Sequence, residues 1–152
     1  IEESAIEVLR KELLPMATVI TPNIPEAEVL AGHAIDSAEA LPAAARELSL
    51  GGRISVLLKA GHLGGESSTD ILYDAPRDCV RAFPHPRTDT PNTHGTGCTL
   101  SSAIASYLAQ GLELGSAVGA AVEYISGAIV AGSRYTVGHG HGPVCHFYNL
   151  WK

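Results

Sequence analysis

The sequence predicts an α/β fold in which parallel strands alternate with helices. Three observations point there. Residues 54–59 (Ile-Ser-Val-Leu-Leu-Lys) form a nearly continuous apolar run ending at a lysine, the pattern of a strand buried on both faces. Apolar residues elsewhere recur at helical spacing between short β-rich runs. The composition, 45% apolar and 17% charged with only 5% aromatic, is that of an α/β domain.

The elements follow in order. Ile6, Leu9 and Leu13 recur at helical spacing within residues 1–14, and Pro15 ends the run. Thr18-Val19-Ile20-Thr21 is a short β run, and Pro22-Asn23-Ile24-Pro25 cannot continue its ladder. Pro25 suits the first turn of a helix through residues 26–30, closed by Gly32. Asp36 and Glu39 have the spacing of a capping box for a helix reaching Leu50, with Gly51-Gly52 as its stop.

The buried strand 54–59 comes next, then two β runs, 70–73 and 80–83, with Asp74-Ala75-Pro76-Arg77 as the turn between them. A Pro-rich link, 84–91, leads to two helices, 98–110 and 116–131, joined by Gly111. The stretch 117–131 is apolar but carries Glu123 and is too short to span a bilayer, so it reads as a buried helix. The tail, 137–152, is rich in Gly and His and reads as surface.

The net charge of −6, with scattered basic residues, argues against nucleic acid or an anionic membrane as partner. Three widely spaced cysteines read as reduced thiols of a cytoplasmic protein. Glu2, Glu3 and Glu7 stand where a secretory signal would be basic. The elements supply only two central parallel strands, so the chain reads as the C-terminal part of a larger α/β domain whose N-terminal part lies elsewhere.

The chemistry concentrates in Thr93-His94-Gly95-Thr96-Gly97-Cys98, immediately before a helix. Glycines let the backbone close on a ligand. The helix that follows offers free N–H groups and the positive end of its dipole to an anion. On these residues alone the turn can move phosphoryl groups, place Cys98 as a nucleophile, or simply cap a helix. His139 and His141 are separated by a single residue, which is not the spacing of a helical metal face.

Four segments in order carry a resemblance: Thr21-Pro22-Asn23-Ile24-Pro25-Glu26, Leu58-Lys59-Ala60-Gly61-His62, residues 92–101 around the glycine turn, and Gly138-His139-Gly140-His141-Gly142-Pro143. Together the chain resembles the C-terminal half or more of the hydroxymethylpyrimidine (phosphate) kinases of thiamine biosynthesis, in the ribokinase-like superfamily. The resemblance implies a three-layer α/β fold with a central, mostly parallel sheet. Residues 1–152 would be the nucleotide-binding portion of a single kinase domain, acting with ATP and Mg2+, in a homodimer.

It implies that the N–H groups of Gly95, Thr96, Gly97 and Cys98 stabilise the moving phosphoryl group, at about 2.7–4 kcal/mol per donor. Most of the superfamily ends this motif in aspartate, the base for the acceptor hydroxyl. The pyrimidine-kinase branch has cysteine there, which makes Cys98 the candidate base. A helix N-terminus favours thiolate over thiol, and a neighbouring phosphate opposes it.

Thr93, Gly97, Asn23 and Lys59 fall to ATP, Lys59 as a point charge at a strand end. Asn23 and Glu26 fall to magnesium, although both also suit the start of a helix. Asp70 follows the lysine loop with no firm role. The family has glycine where this chain has Ala60, and the added methyl narrows the approach of a phosphate.

Three other readings stand beside this one. Pyridoxal or pyridoxine kinases share the cysteine-ending turn. A thiol enzyme would use Cys98 with His94 or His62 as base. A nucleotide-binding chain could also be inactive without its N-terminal part.

Overall fold

The computed structural model describes residues 3–61 and 67–150. The chain divides into two compact units, residues 1–84 and 85–152.

The first unit opens with helix α1 (Glu3–Val8), which runs into a π turn at Leu9–Leu13 and a tight 3-10 turn at Leu14–Met16. A π turn holds one residue more than an α turn, so it rotates the face that follows. Leu13, inward in the α-helical reading, is 59% exposed, and Leu14 is buried in its place. Pro15 sits inside the 3-10 turn, where its missing N–H costs no helical bond.

Strand β1 (Val19–Ile20) precedes α2 (Ile24–Ala31), and Gly32 closes α2 in the left-handed region at φ +82°. The expected Asp36 cap does not form. Ser37 stands at the helical entry to a 3-10 turn, Ala38–Ala40, which runs directly into α3 (Leu41–Glu47) with Pro42 in its first turn. The Glu39 carboxyl is held below its usual range by its own backbone N–H and by the Ser37 hydroxyl. The chain turns after α3 through Leu50, Gly51 and Gly52, all with positive φ.

Strands β2 (Ser55–Leu58), β3 (Ser67–Asp74) and β4 (Cys79–Pro86) complete a sheet of order β1-β2-β3-β4. β1 and β2 are parallel, as expected, with Val19 opposite Ser55, while β3 runs antiparallel to β2. The described sheet is therefore mixed. Asp74, fully buried, ends β3 and stands at the entry to the 3-10 turn Ala75–Arg77, so the expected turn between the two β runs forms. Pro84 and Pro86 belong to β4, which a terminal strand allows because one side needs no donors. α2 and α3 supply Ala27, Leu41, Ala44 and Ala45 to a core shared with Val56, Leu58 and Ile71 of the sheet.

His33 joins the end of α2 to α3. Its Nδ1 lies 3.0 Å from the Ala34 carbonyl and its Nε2 lies 3.0 Å from Glu47 Oε2. Both neighbours are acceptors, so only the doubly protonated ring donates to both. The Ala34 carbonyl and the Glu47 carboxylate accordingly raise its pKa above 6.5. A raised folded-state pKa adds stability below the unfolded value and loses it as pH rises through the folded one. We expect His33→Asn to lower the urea midpoint at about pH 5.5 and to match wild type at about pH 8.5. A gap that does not shrink with pH would assign the effect to packing.

In the second unit, α4 (Thr96–Ala109) packs against α5 (Leu114–Gly132), and Gly111 makes the turn between them at φ +90°. At 19 residues α5 is longer than the sequence indicates, and length and apolarity alone would let it cross a membrane. Ala117, Val118, Ala121, Val122, Ile125 and Ala128 are buried along one stripe, which is the pattern of a core helix.

The tail is not simply surface. The Cys145 N–H donates to the Ala128 carbonyl at 3.0 Å, Val144 is buried, and Tyr148 lies over Gly127. Residues 142–148 thus lie along α5, seated on its smallest side chains.

Candidate functional site

Two groups of candidate residues stand in the two units. In the first, Asn23 caps α2. Its Oδ1 accepts the Glu26 N–H, and Glu26 Oε2 accepts the Asn23 N–H, both at 2.8 Å. This reciprocal box satisfies two donors that a helix start leaves open.

Lys59 follows β2. Its N–H donates to the Pro22 carbonyl at 2.9 Å, and Asn23 and Lys59 pair as an isolated parallel bridge. Asn23, Glu26 and Lys59 therefore share the C-terminal end of two parallel strands, where α/β sheets present ligand-binding groups. Lys59 Nζ makes no hydrogen bond or ion pair among the described residues.

Asp70, 5% exposed on β3, accepts the Ala60 N–H at 2.9 Å and so fixes the backbone next to Lys59. Ala60 is 4% exposed and belongs to the core, so its methyl packs inward. His62 lies outside the described residues.

The capping box bears on magnesium. It engages Asn23 Oδ1 and Glu26 Oε2 but leaves Glu26 Oε1, on an exposed residue, without a bond in the box. Among the described residues no group of three His, Cys, Asp or Glu side chains forms a ready cage. One free carboxylate oxygen fits an ion that keeps several waters and takes its other ligands from phosphate.

In the second unit, Gly95 precedes α4 in the left-handed region at φ +84°. With glycine at the cap, no side chain makes a capping hydrogen bond to the helix head. The Thr96 N–H makes a long bond to the Thr93 carbonyl at 3.3 Å, so one of the four expected donors is partly engaged. Gly97 and Cys98 occupy the next two helical positions, whose N–H groups have no partner within the helix. The Gly95 carbonyl accepts both the N–H and the hydroxyl of Thr99, at 2.8 and 2.7 Å.

Cys98 is exposed and lies at one end of an open cavity of about 470 Å3 lined by α4, Tyr124 and His146. Among the described residues no hydrogen bond joins its thiol to the His94 ring, the contact a thiol–imidazole pair needs. His94 is instead held through its backbone, whose N–H donates to the Gly142 carbonyl at 3.1 Å.

Sequence reasoning passed over Asn92. It is 5% exposed, and its Nδ2 donates to the carbonyls of Gly132 and Tyr135 at 2.8 and 2.7 Å. A Cβ on Gly142 would overlap Asn92 Oδ1. Asparagine beside a glycine turn was the available signal, but its partners lie 40 and 43 residues away.

A sequence model of one family, described as phosphomethylpyrimidine kinase, matches residues 1–145. Among curated relatives, a hydroxymethylpyrimidine/phosphomethylpyrimidine kinase of Rhizobium meliloti is 46% identical over 97% of this chain and 55% of its own length. A thiamine biosynthesis bifunctional protein of Geobacter sulfurreducens is 48% identical over 96% of this chain and 29% of its own length. The chain thus spans little more than half of the Rhizobium relative.

Among solved structures, the pyridoxal kinase of Staphylococcus aureus in complex with AMP-PCP and pyridoxal superposes with a TM-score of 0.90. It is 32% identical, over 99% of this chain and 55% of that one. An ADP complex of Bacillus subtilis pyridoxal kinase gives a TM-score of 0.89 at 34% identity, over 98% and 57%.

Proposed function

The chain belongs to the phosphomethylpyrimidine kinase family, and on that premise we propose the activity of the full-length protein. It transfers the γ-phosphoryl group of ATP to 4-amino-5-hydroxymethyl-2-methylpyrimidine and then to the resulting monophosphate. The hydroxyl oxygen attacks the γ-phosphorus, the bond to the β–γ bridging oxygen breaks, ADP leaves, and the hydroxyl proton passes to the Cys98 sulfur. In the second round a phosphate oxygen of the monophosphate is the attacking atom.

The observation that carries this reading is the uncapped head of α4, where Gly95, Thr96, Gly97 and Cys98 offer donors beside an exposed thiol. Phosphoryl transfer has a loose transition state, so positioning and charge stabilisation supply most of the catalysis. Thr93 and Gly97 serve ATP from the turn, and Lys59 and Asn23 serve its phosphates from the strand ends. A magnesium ion held by Glu26 with Asn23 would neutralise phosphate charge. The three free thiols suit a cytoplasmic setting, and residues 1–152 are the nucleotide-binding portion of one domain, in a homodimer.

The test supplies full-length protein with ATP, magnesium and each pyrimidine and measures ADP release. No turnover of either compound would end the proposal. A second reading, pyridoxal kinase, is favoured by the solved neighbours from S. aureus and B. subtilis. Faster turnover of pyridoxal in the same assay would select it. The curated relatives at 46 and 48% identity favour the pyrimidine.

Glu26→Gln separates the two duties of that side chain. Glutamine still offers an oxygen to the Asn23 N–H, so melting should stay close to wild type. The magnesium concentration for half-maximal rate should rise about tenfold or more, because the carboxylate charge is gone. An unchanged magnesium requirement would leave Glu26 with its capping role alone.

A further inference from the structure

We infer that Asn92 is the positioning residue of the glycine turn, clamping residues 93–98 to the C-terminal end of α5. The inference rests on the phosphoryl-transfer reading of that turn. Three observations converge on it. The amide nitrogen of this buried side chain donates to two carbonyls at once, Gly132 O at 2.8 Å and Tyr135 O at 2.7 Å. Its own N–H donates to Thr90 Oγ1 at 3.1 Å, which holds the approach to the turn. The opposite side of the amide is closed by Gly142, where no Cβ fits, and the Gly142 carbonyl in turn accepts the His94 N–H.

The chemistry is specific to a primary amide. Two acceptors facing one side chain require two protons on one atom, which Asn supplies and Asp, Ser and Thr do not. The Gly132 carbonyl belongs to the last turn of α5 and accepts the Tyr135 N–H at 3.1 Å, and Asn92 brings it a second donor from a distant part of the chain. The turn is thereby fixed at Asn92 by a side chain and at His94 by a backbone bond. Gly95, Thr96 and Gly97 follow with no side-chain cap of their own. Donors at a helix head act on a moving phosphoryl group only while their direction is held, and an error of about 1 Å costs on the order of 10²-fold.

The test uses Asn92→Asp in the full-length protein, which keeps the shape and sets a carboxylate against two carbonyls, with Asn92→Ala as the second variant. Assays are run well below each variant's own melting temperature. We expect kcat to fall about 10²-fold with KM for the alcohol unchanged, and the backbone amide resonances of Gly95, Gly97 and Cys98 to shift. A folded variant with wild-type kcat, a loss that appears only in KM, or unshifted turn amides would overturn the inference. If wild-type protein phosphorylates no acceptor, the kinase reading falls on its own. The amide resonances then decide the clamp, shifted in its favour and unshifted against it.

Discussion

Cys98→Ala in the full-length protein is expected to lower kcat by about 10²–10⁴-fold, the usual contribution of a positioned proton acceptor. Cys98 is exposed at the third position of α4, next to donors that no side chain has claimed. Removing the sulfur leaves the backbone N–H groups in place, so ATP binding should persist while transfer slows. Cys98→Asp is the informative companion, because a carboxylate at the same position can also take the hydroxyl proton, and it should recover part of the loss. Steady-state rates of ADP release, with nucleotide affinity by calorimetry, read both effects. Undiminished kcat in Cys98→Ala would reduce the centre to its anion-binding backbone.

Gly142→Ala is expected to destabilise the protein by about 3 kcal/mol, combining overpacking with the loss of a buried hydrogen bond. A Cβ there would overlap Asn92 Oδ1 and stand 2.7 Å from its Cγ. Asn92 cannot swing away without releasing Gly132 and Tyr135, and the tail cannot lift without releasing His94. Gly140 lies two residues earlier in open space, with nothing within 4 Å of the place a Cβ would take. Its alanine variant should therefore stay within about 0.5 kcal/mol of wild type. In an Asn92→Ala background the Gly142→Ala cost should shrink, since the opposing atom is gone. Urea unfolding of the single and double variants beside wild type checks this, and equal costs in both backgrounds would remove Asn92 as the obstacle.

Much of this was legible because the determinants are local. Pro25 and Gly32 bracket α2, the run 54–59 is a strand, and the glycine turn heads a helix, each set by residues within a few positions. Reading failed where one residue shifts the phase or where the partner is distant. The π turn moved burial from Leu13 to Leu14, an effect invisible to a fixed helical period. Ser37 took the entry position expected of Asp36, and Pro42, in the first turn of α3, has no N–H to return to Ala38, so the segment before it is a 3-10 turn. The direction of β3, antiparallel to β2, is left open by the sequence, because an apolar run does not specify it. The partners of Asn92 and the seat of the tail on α5 escaped because these contacts join segments distant in sequence.

The seat of the tail on α5 says where the specification for that segment is written. Its anchors are main-chain groups, the Cys145 N–H on Ala128 and the Gly142 carbonyl under His94. Its clearance comes from the missing side chains of Gly127 and Gly132. Most of the instruction for placing residues 142–148 is therefore encoded in the receiving helix, as vacancies. Divergence elsewhere in the tail would leave the message readable, provided Gly142 and those two glycines of α5 remained.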